Sequence, residues 1–338
     1  MYQKKGNMFQ HNGWLILSLV FALAFSLTLS ASGDTDRTYC GPDVESIYQT
    51  IRHSSPEYEG TETIVTFENE GMTLVCTLTI PNTPKKAPII ITLNGFTGDR
   101  NDVQVAGTNE RYYPRLSRIL AENGLASLRI DFRGSGDSDG EFGMTTFSTQ
   151  IADTLAALDY ITHNLKHQVD TNSIGIIGFS QGAIIAPVVA AKDKRVDSLV
   201  LWSAPAYPPY AYERLLTQEG IARGLALPEG NPDTFGLYFQ GQFLYNTSLG
   251  KGFFKELFTV NPITEISKYK GPVMVVAGLK DPIVWPQPTQ SEALLKYHDG
   301  FEKLVSVDAD HSYNYWEGPE KLDDVIFWST AWFMKTLK

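Results

Sequence analysis

The stretch Ser173–Ala191, SIGIIGFSQGAIIAPVVAA, decides how this chain is built. Its first seven residues, Ser173–Phe179, form a continuous apolar run rather than an alternating one, the pattern of a parallel strand covered on both faces. Its last nine, Ala183–Ala191, are small and apolar and read as a short helix. Between them stands Gly178-Phe179-Ser180-Gln181-Gly182, a G-x-S-x-G sequence at a strand-to-helix turn. Such a turn is strained and closely packed, so it needs glycine on either side of the serine. It lifts the Ser180 hydroxyl above the sheet edge, and the N-terminus of the following helix offers a favourable dipole to a developing oxyanion. Ser180 is the candidate nucleophile.

Outward from this unit the same rhythm repeats. Continuous apolar runs at Pro88–Leu93, Leu125–Phe132, Ser198–Ser203, Pro272–Gly278 and Lys303–Val307 read as further buried strands. Helical periods fall between them, at Tyr113–Asn123, which closes on an Asn-Gly stop, and at Thr149–Leu165, with Ile151, Leu155, Leu158 and Ile161 on one face. Ahead of them, ETIVTFEN and MTLVCTLTI flank Glu70-Gly71 as a hairpin. Alternating strands and helices predict an α/β fold with a mostly parallel, doubly wound sheet. One stretch breaks the rhythm. Residues 205–268 are too long for an ordinary connection, and 205–258 hold 11 aromatics, about 20% against 12% for the whole chain. They read as an inserted helical cap, whose aromatics serve either its own core or the roof of a pocket.

A serine hydroxyl is a weak nucleophile and needs a histidine base held by a carboxylate. His163 and His167 are spaced four apart with no acid between them and read as a solvated helix face. His298 ends a helix and His53 precedes the sheet. His311 lies in the loop after the last strand, Asp308-Ala309-Asp310-His311-Ser312, where such sheets collect their sites; it is the candidate base. Asp281, in Gly278-Leu279-Lys280-Asp281-Pro282 after the preceding strand, is the candidate acid, ahead of Asp308 and Asp310, whose short shared loop makes reaching the imidazole awkward. The order Ser180, Asp281, His311 is that of the α/β-hydrolase architecture. Two N–H groups must receive the oxyanion: Gln181, next to the nucleophile, and Phe96 in the loop Leu93-Asn94-Gly95-Phe96-Thr97-Gly98.

Together with Asp281 and the Asp310-His311 loop, Asn94-Gly95-Phe96-Thr97-Gly98, the segment Asp131–Phe142 (DFRGSGDSDGEF) and Gly178–Gly182 resemble the bacterial cinnamoyl/feruloyl-esterase-type α/β-hydrolases, from about residue 62 to the C-terminus. The resemblance implies an esterase with a cap where residues 205–268 fall, no cofactor, and oxyanion donors at Phe96 and Gln181. Asn94 replaces the histidine usual before Gly-Phe-Thr-Gly. The expectation is a serine carboxylic-ester hydrolase working through an acyl-enzyme on a small-molecule ester, hydroxycinnamoyl or short-chain. A serine peptidase or amidase on the same fold is the alternative, and a non-catalytic binding protein a more distant one.

Composition narrows the rest. The chain has 338 residues, 43% hydrophobic and 20% charged, a globular profile. With 28 Lys+Arg against 38 Asp+Glu its formal charge is −10, which argues against nucleic acid as a partner. Lys4 and Lys5, the apolar run Trp14–Leu29 and Ser30-Ala31-Ser32-Gly33 describe a signal peptide over residues 1–33 and a secreted or periplasmic protein, with no stable membrane insertion once cleaved. An uncleaved membrane anchor is the alternative. Residues 34–60 form an N-terminal extension; 61–204 and 269–338 form the catalytic domain around the 205–268 cap. The only cysteines, Cys40 and Cys76, are either bridged in an oxidising compartment or two free thiols. No metal motif is present. Gly140 falls one residue late for a G-x-G-x-x-G dinucleotide loop after Gly134, and Asp137 and Asp139 read as loop-shaping residues.

Overall fold

The computed structural model describes residues 42–337; the expected signal peptide and Cys40 lie outside them. Helix α1 (Val44–His53) is followed by β1 (Gly60–Asn69), β2 (Met72–Pro81), β3 (Ala87–Leu93), α2 (Tyr112–Glu122), β4 (Ala126–Ile130), α3 (Phe147–Asn164), β5 (Val169–Phe179), α4 (Gly182–Lys192) and β6 (Val196–Trp202). Next come α5 (Pro208–Leu216), α6 (Gln218–Leu225), β7 (Asp233–Phe239), β8 (Gln242–Leu249), α7 (Lys251–Glu256) and α8 (Pro262–Ile266). The chain then returns through β9 (Val273–Gly278), α9 (Thr289–Leu295), β10 (Glu302–Val307) and α10 (Glu320–Thr336).

Eight strands make one sheet in the order β1-β2-β4-β3-β5-β6-β9-β10. β2 runs antiparallel to both β1 and β4, and the pairs from β4 through β3, β5, β6 and β9 to β10 are parallel. The apolar runs explain this. Ile89 and Ile91 of β3 pack with Leu158 of α3 and Ile185 of α4 on one face, while Ile90 packs with Leu116 of α2 and Trp332 of α10 on the other. Both faces of the strand are buried, so no polar alternation survives. Glu70 and Gly71 sit at φ 51° and 79°, the pair of positive values that a tight two-residue hairpin turn requires. Cys76 of β2 is a free thiol, fully buried, and burial pushes its pKa up.

Two features go beyond the sequence reading. α1, inside the expected extension, docks on α10 through the stacked rings of Tyr48 and Trp328, 4.1 Å between centroids. The segment between β6 and β9 is not purely helical, because β7 and β8 form a separate antiparallel hairpin. Its turn, Gln240-Gly241, repeats the two positive φ values of Glu70-Gly71, but Gln-Gly is a weaker turn signal than Asn-Gly or Asp-Gly.

Candidate active site

Ser180 stands where β5 turns into α4, at φ 51°, in the left-handed region that is costly for a residue with a Cβ. The flanking glycines make the turn possible by close packing. A Cβ on Gly178 would collide with the Gly182 carbonyl, and one on Gly182 would collide with the Leu93 carbonyl of β3. The Ser180 amide donates to the Trp202 carbonyl at the end of β6 (2.9 Å), fixing the elbow against the neighbouring strand.

The structure brings the three expected side chains together. His311 Nε2 lies 2.9 Å from Ser180 Oγ, and His311 Nδ1 lies 2.7 Å from Asp281 Oδ2. Asp281 is 1% exposed, and its other oxygen, Oδ1, accepts from the Ile283 and Val284 amides at 2.8 and 2.9 Å. Those two donors identify which oxygen is left for the imidazole. With Nδ1–H donating to Asp281, Nε2 is an acceptor facing the serine hydroxyl. The rival carboxylates are engaged elsewhere. Asp308 pairs with Lys280 at the surface, and this ion pair holds its pKa low. Asp310 accepts from the Ser312 and Asn314 amides and from Trp316 Nε1 (2.9, 2.8 and 2.8 Å), stapling the loop that carries His311. Ser203 Oγ donates to the His311 carbonyl (2.8 Å).

The remaining histidines among the described residues lie outside this group. His53 and His163 face their own helix carbonyls on exposed surfaces, and His167 is exposed. His298 is buried rather than a simple helix-end partner, with Nε2 facing the Gly271 carbonyl and Nδ1 facing Glu302.

The loop carrying Phe96 lies directly against Ser180: a Cβ on Gly95 would come 3.0 Å from the Phe179 ring and 3.5 Å from Ser180 Cβ. Asn94 Nδ2 donates to the Gly95 and Gly98 carbonyls (3.1 and 2.8 Å) and closes the loop around Thr97. The Phe96 ring packs on Tyr212 and Phe253, which the β6–β9 segment supplies. Gln181 is held through its side chain, whose Nε2 donates to Gln150 Oε1 (2.7 Å) and whose Oε1 accepts from Tyr212. Gln150 and Tyr212 escape sequence reading because no spacing or motif marks them. They meet at Gln181 only when α3, α5 and the turn into α4 converge.

A cleft of about 390 Å³ opens over Ser180 and His311. Leu237, Phe239, Leu244 and Tyr245 of the β7–β8 hairpin line one part of it, and Asp99, Asp102 and Arg111 another. Burial and the neighbouring Asp99 carboxylate push the Asp102 carboxyl up to about 6. Asp137 and Asp139 shape their loop, Asp137 bonding Arg100 (2.6 Å) and Asp139 accepting from the Thr73 amide (2.9 Å). Among the described residues no helix is long and apolar enough to cross a membrane.

Comparison with known proteins agrees with this architecture. The family described as X-Pro dipeptidyl-peptidase (S15 family) matches residues 70–227. Est1E from Butyrivibrio proteoclasticus, solved with ferulic acid bound, is 27% identical, with a TM-score of 0.62 over 80% of this chain and 97% of its own. The esterase domain of a Rhodothermus marinus protein shares the fold at 22% identity, TM-score 0.56, over 79% of this chain and 94% of its own. An uncharacterized 31.7 kDa protein of Escherichia coli is 31% identical over 132 residues, 39% of this chain. The match spans only 42% of that relative's length.

Fold and likenesses together define the α/β-hydrolase fold. Within that class the chain resembles the feruloyl-esterase type, as its Asp131–Phe142 segment suggests.

Proposed function

We propose that this chain is a secreted serine carboxylic-ester hydrolase in which Ser180, His311 and Asp281 form the catalytic triad. The observation that carries the reading is His311 lying within hydrogen-bond reach of both Ser180 (2.9 Å) and Asp281 (2.7 Å). Ser180 Oγ attacks the ester carbonyl as His311 Nε2 takes its proton, and Asp281 stabilises the resulting imidazolium. The Phe96 and Gln181 amides receive the tetrahedral oxyanion, each worth about 3–4 kcal/mol. His311 then protonates the departing alcohol. A water deprotonated by His311 attacks the acyl-enzyme, and the acid leaves as Ser180 regains its proton.

Residues 205–268 act in this reading as a cap that roofs the cleft, and its aliphatic and aromatic wall suits a compact acyl group, short-chain or hydroxycinnamoyl. Residues 1–33 act as the export signal. Ser180→Ala should abolish hydrolysis of p-nitrophenyl acetate and labelling by a fluorophosphonate probe while leaving thermal melting intact; retained turnover would sink the assignment. The match to the X-Pro dipeptidyl-peptidase family favours one second reading, a serine peptidase, since the same three residues cleave amides. Rates on matched X-Pro anilides and p-nitrophenyl esters, the latter including hydroxycinnamates, separate the two.

A further inference from the structure

Thr97 is a β-branched residue at φ 64°, a conformation that persists only where the surroundings impose it. Its immediate restraints are local: Gly98 N donates to the Gly95 carbonyl (3.1 Å), and Asn94 Nδ2 bonds the Gly95 and Gly98 carbonyls. One restraint is remote. Thr97 Oγ1 lies 2.6 Å from the Phe96 carbonyl and 2.6 Å from Tyr245 Oη of β8. A threonine hydroxyl has a single proton. The carbonyl can only accept, so that proton goes to Phe96, and Tyr245 donates to Thr97. The result is a directed chain from the β7–β8 hairpin through Thr97 to the loop carrying Phe96.

The hairpin is placed to work as a strap. At its base, Ser248 and Pro232 pack on the turn at Gly143, where an added Cβ would come 2.5 Å from Ser248 Oγ and 2.8 Å from Pro232 Cβ. Toward its tip, Phe243, Leu244 and Tyr245 are 56%, 50% and 47% exposed, so little packing anchors that end. Leu244 and Tyr245 nevertheless line the cleft beside Ser180. The Tyr245–Thr97 bond is the hydrogen bond that ties this end of the hairpin to the 94–98 loop.

We propose that Tyr245 and Thr97 form a latch that couples closure of the hairpin over substrate to the geometry of the Phe96 donor, making both positioning residues. The latch rests on the triad reading given above. It acts by holding the loop in shape when the oxyanion forms, and so bears on kcat more than on substrate binding. The test compares Tyr245→Phe, Thr97→Val, their double variant and Thr97→Ser, each checked for thermal melting, in hydrolysis of p-nitrophenyl acetate, with Ser180→Ala as control. Tyr245→Phe keeps the ring as a cleft wall and removes only the hydroxyl. Each of Tyr245→Phe and Thr97→Val should lower kcat about three- to tenfold, the scale of one hydrogen bond, with KM within about twofold. The double variant should lose no more than the worse single, and Thr97→Ser should recover most of the kcat lost in Thr97→Val. Singles with wild-type kcat, a rise in KM alone, losses that multiply in the double variant, or a serine that recovers nothing would each overturn the latch. Turnover surviving in Ser180→Ala would overturn the triad reading itself and the latch with it.

Discussion

On the proposed triad, replacing Asp281 by asparagine should remove most turnover without unfolding the protein, because the site dictates how the amide must sit. Asp281 Oδ1 accepts from the Ile283 and Val284 amides, while Oδ2 faces His311 Nδ1 at 2.7 Å. In the variant the amide oxygen has to take the Oδ1 place, since an NH₂ there would meet two N–H donors. Its NH₂ then points at His311 Nδ1, which must become an acceptor. That puts the imidazole proton on Nε2, facing Ser180, and removes the base. A wrong tautomer of this kind costs on the order of 10⁴ in kcat, about 5.5 kcal/mol at 1.36 kcal/mol per decade. Folding should suffer little, as both backbone bonds are retained. Asp281→Ala strands both amides at a fully buried position instead, at about 1–3 kcal/mol each. Single-turnover hydrolysis of p-nitrophenyl acetate, with thermal melting of both variants alongside, measures the two effects. An asparagine variant keeping more than about a tenth of wild-type kcat would refute the assigned geometry. So would a larger kcat loss in Asp310→Asn than in Asp281→Asn.

Two further predictions test the site's surroundings. Asp102 has its carboxyl raised to about 6 by burial and by Asp99, so the folded state holds this proton more tightly than the unfolded chain. The associated stability is fully present below the ordinary carboxylate pKa and is lost as pH rises through about 6. Asparagine tolerates the positive φ of 57° at this position, so Asp102→Asn should raise the melting temperature near neutral pH, a gain that shrinks toward about pH 4. An increment that does not change with pH would rule this out. Gly182→Ala drives a Cβ into the Leu93 carbonyl; because backbone faces backbone, the urea midpoint should fall by the equivalent of about 1–3 kcal/mol or more. An unchanged midpoint would mean that the elbow is looser than its packing implies.

The strands that carry the site were readable as continuous apolar runs, because a strand buried on both faces leaves no polar alternation. Ser180 was readable because its elbow demands glycine at two fixed positions. His311 and Asp281 followed from their places after successive strands, since a parallel sheet delivers its strand ends to one edge. The β7–β8 hairpin was not readable. It pairs only with itself, and its aromatics serve the cleft as well as the segment's own packing, so neither a strand period nor a strong turn signal stands out.

The sequence by itself determined the fold class and singled out Ser180, His311 and Asp281, the residues proposed as the triad, since periodicity and local turn chemistry are written residue by residue. Only the tertiary structure decided which oxygen of Asp281 faces the imidazole, that Asp310 staples its own loop, and that Gln150, Tyr212 and Tyr245 bear on the residues proposed for the oxyanion. Apart from the Asp310 staple, these are contacts between residues 30 to 148 apart. Hydrogen bonds over such separations depend on distance and angle in space, which no local pattern encodes.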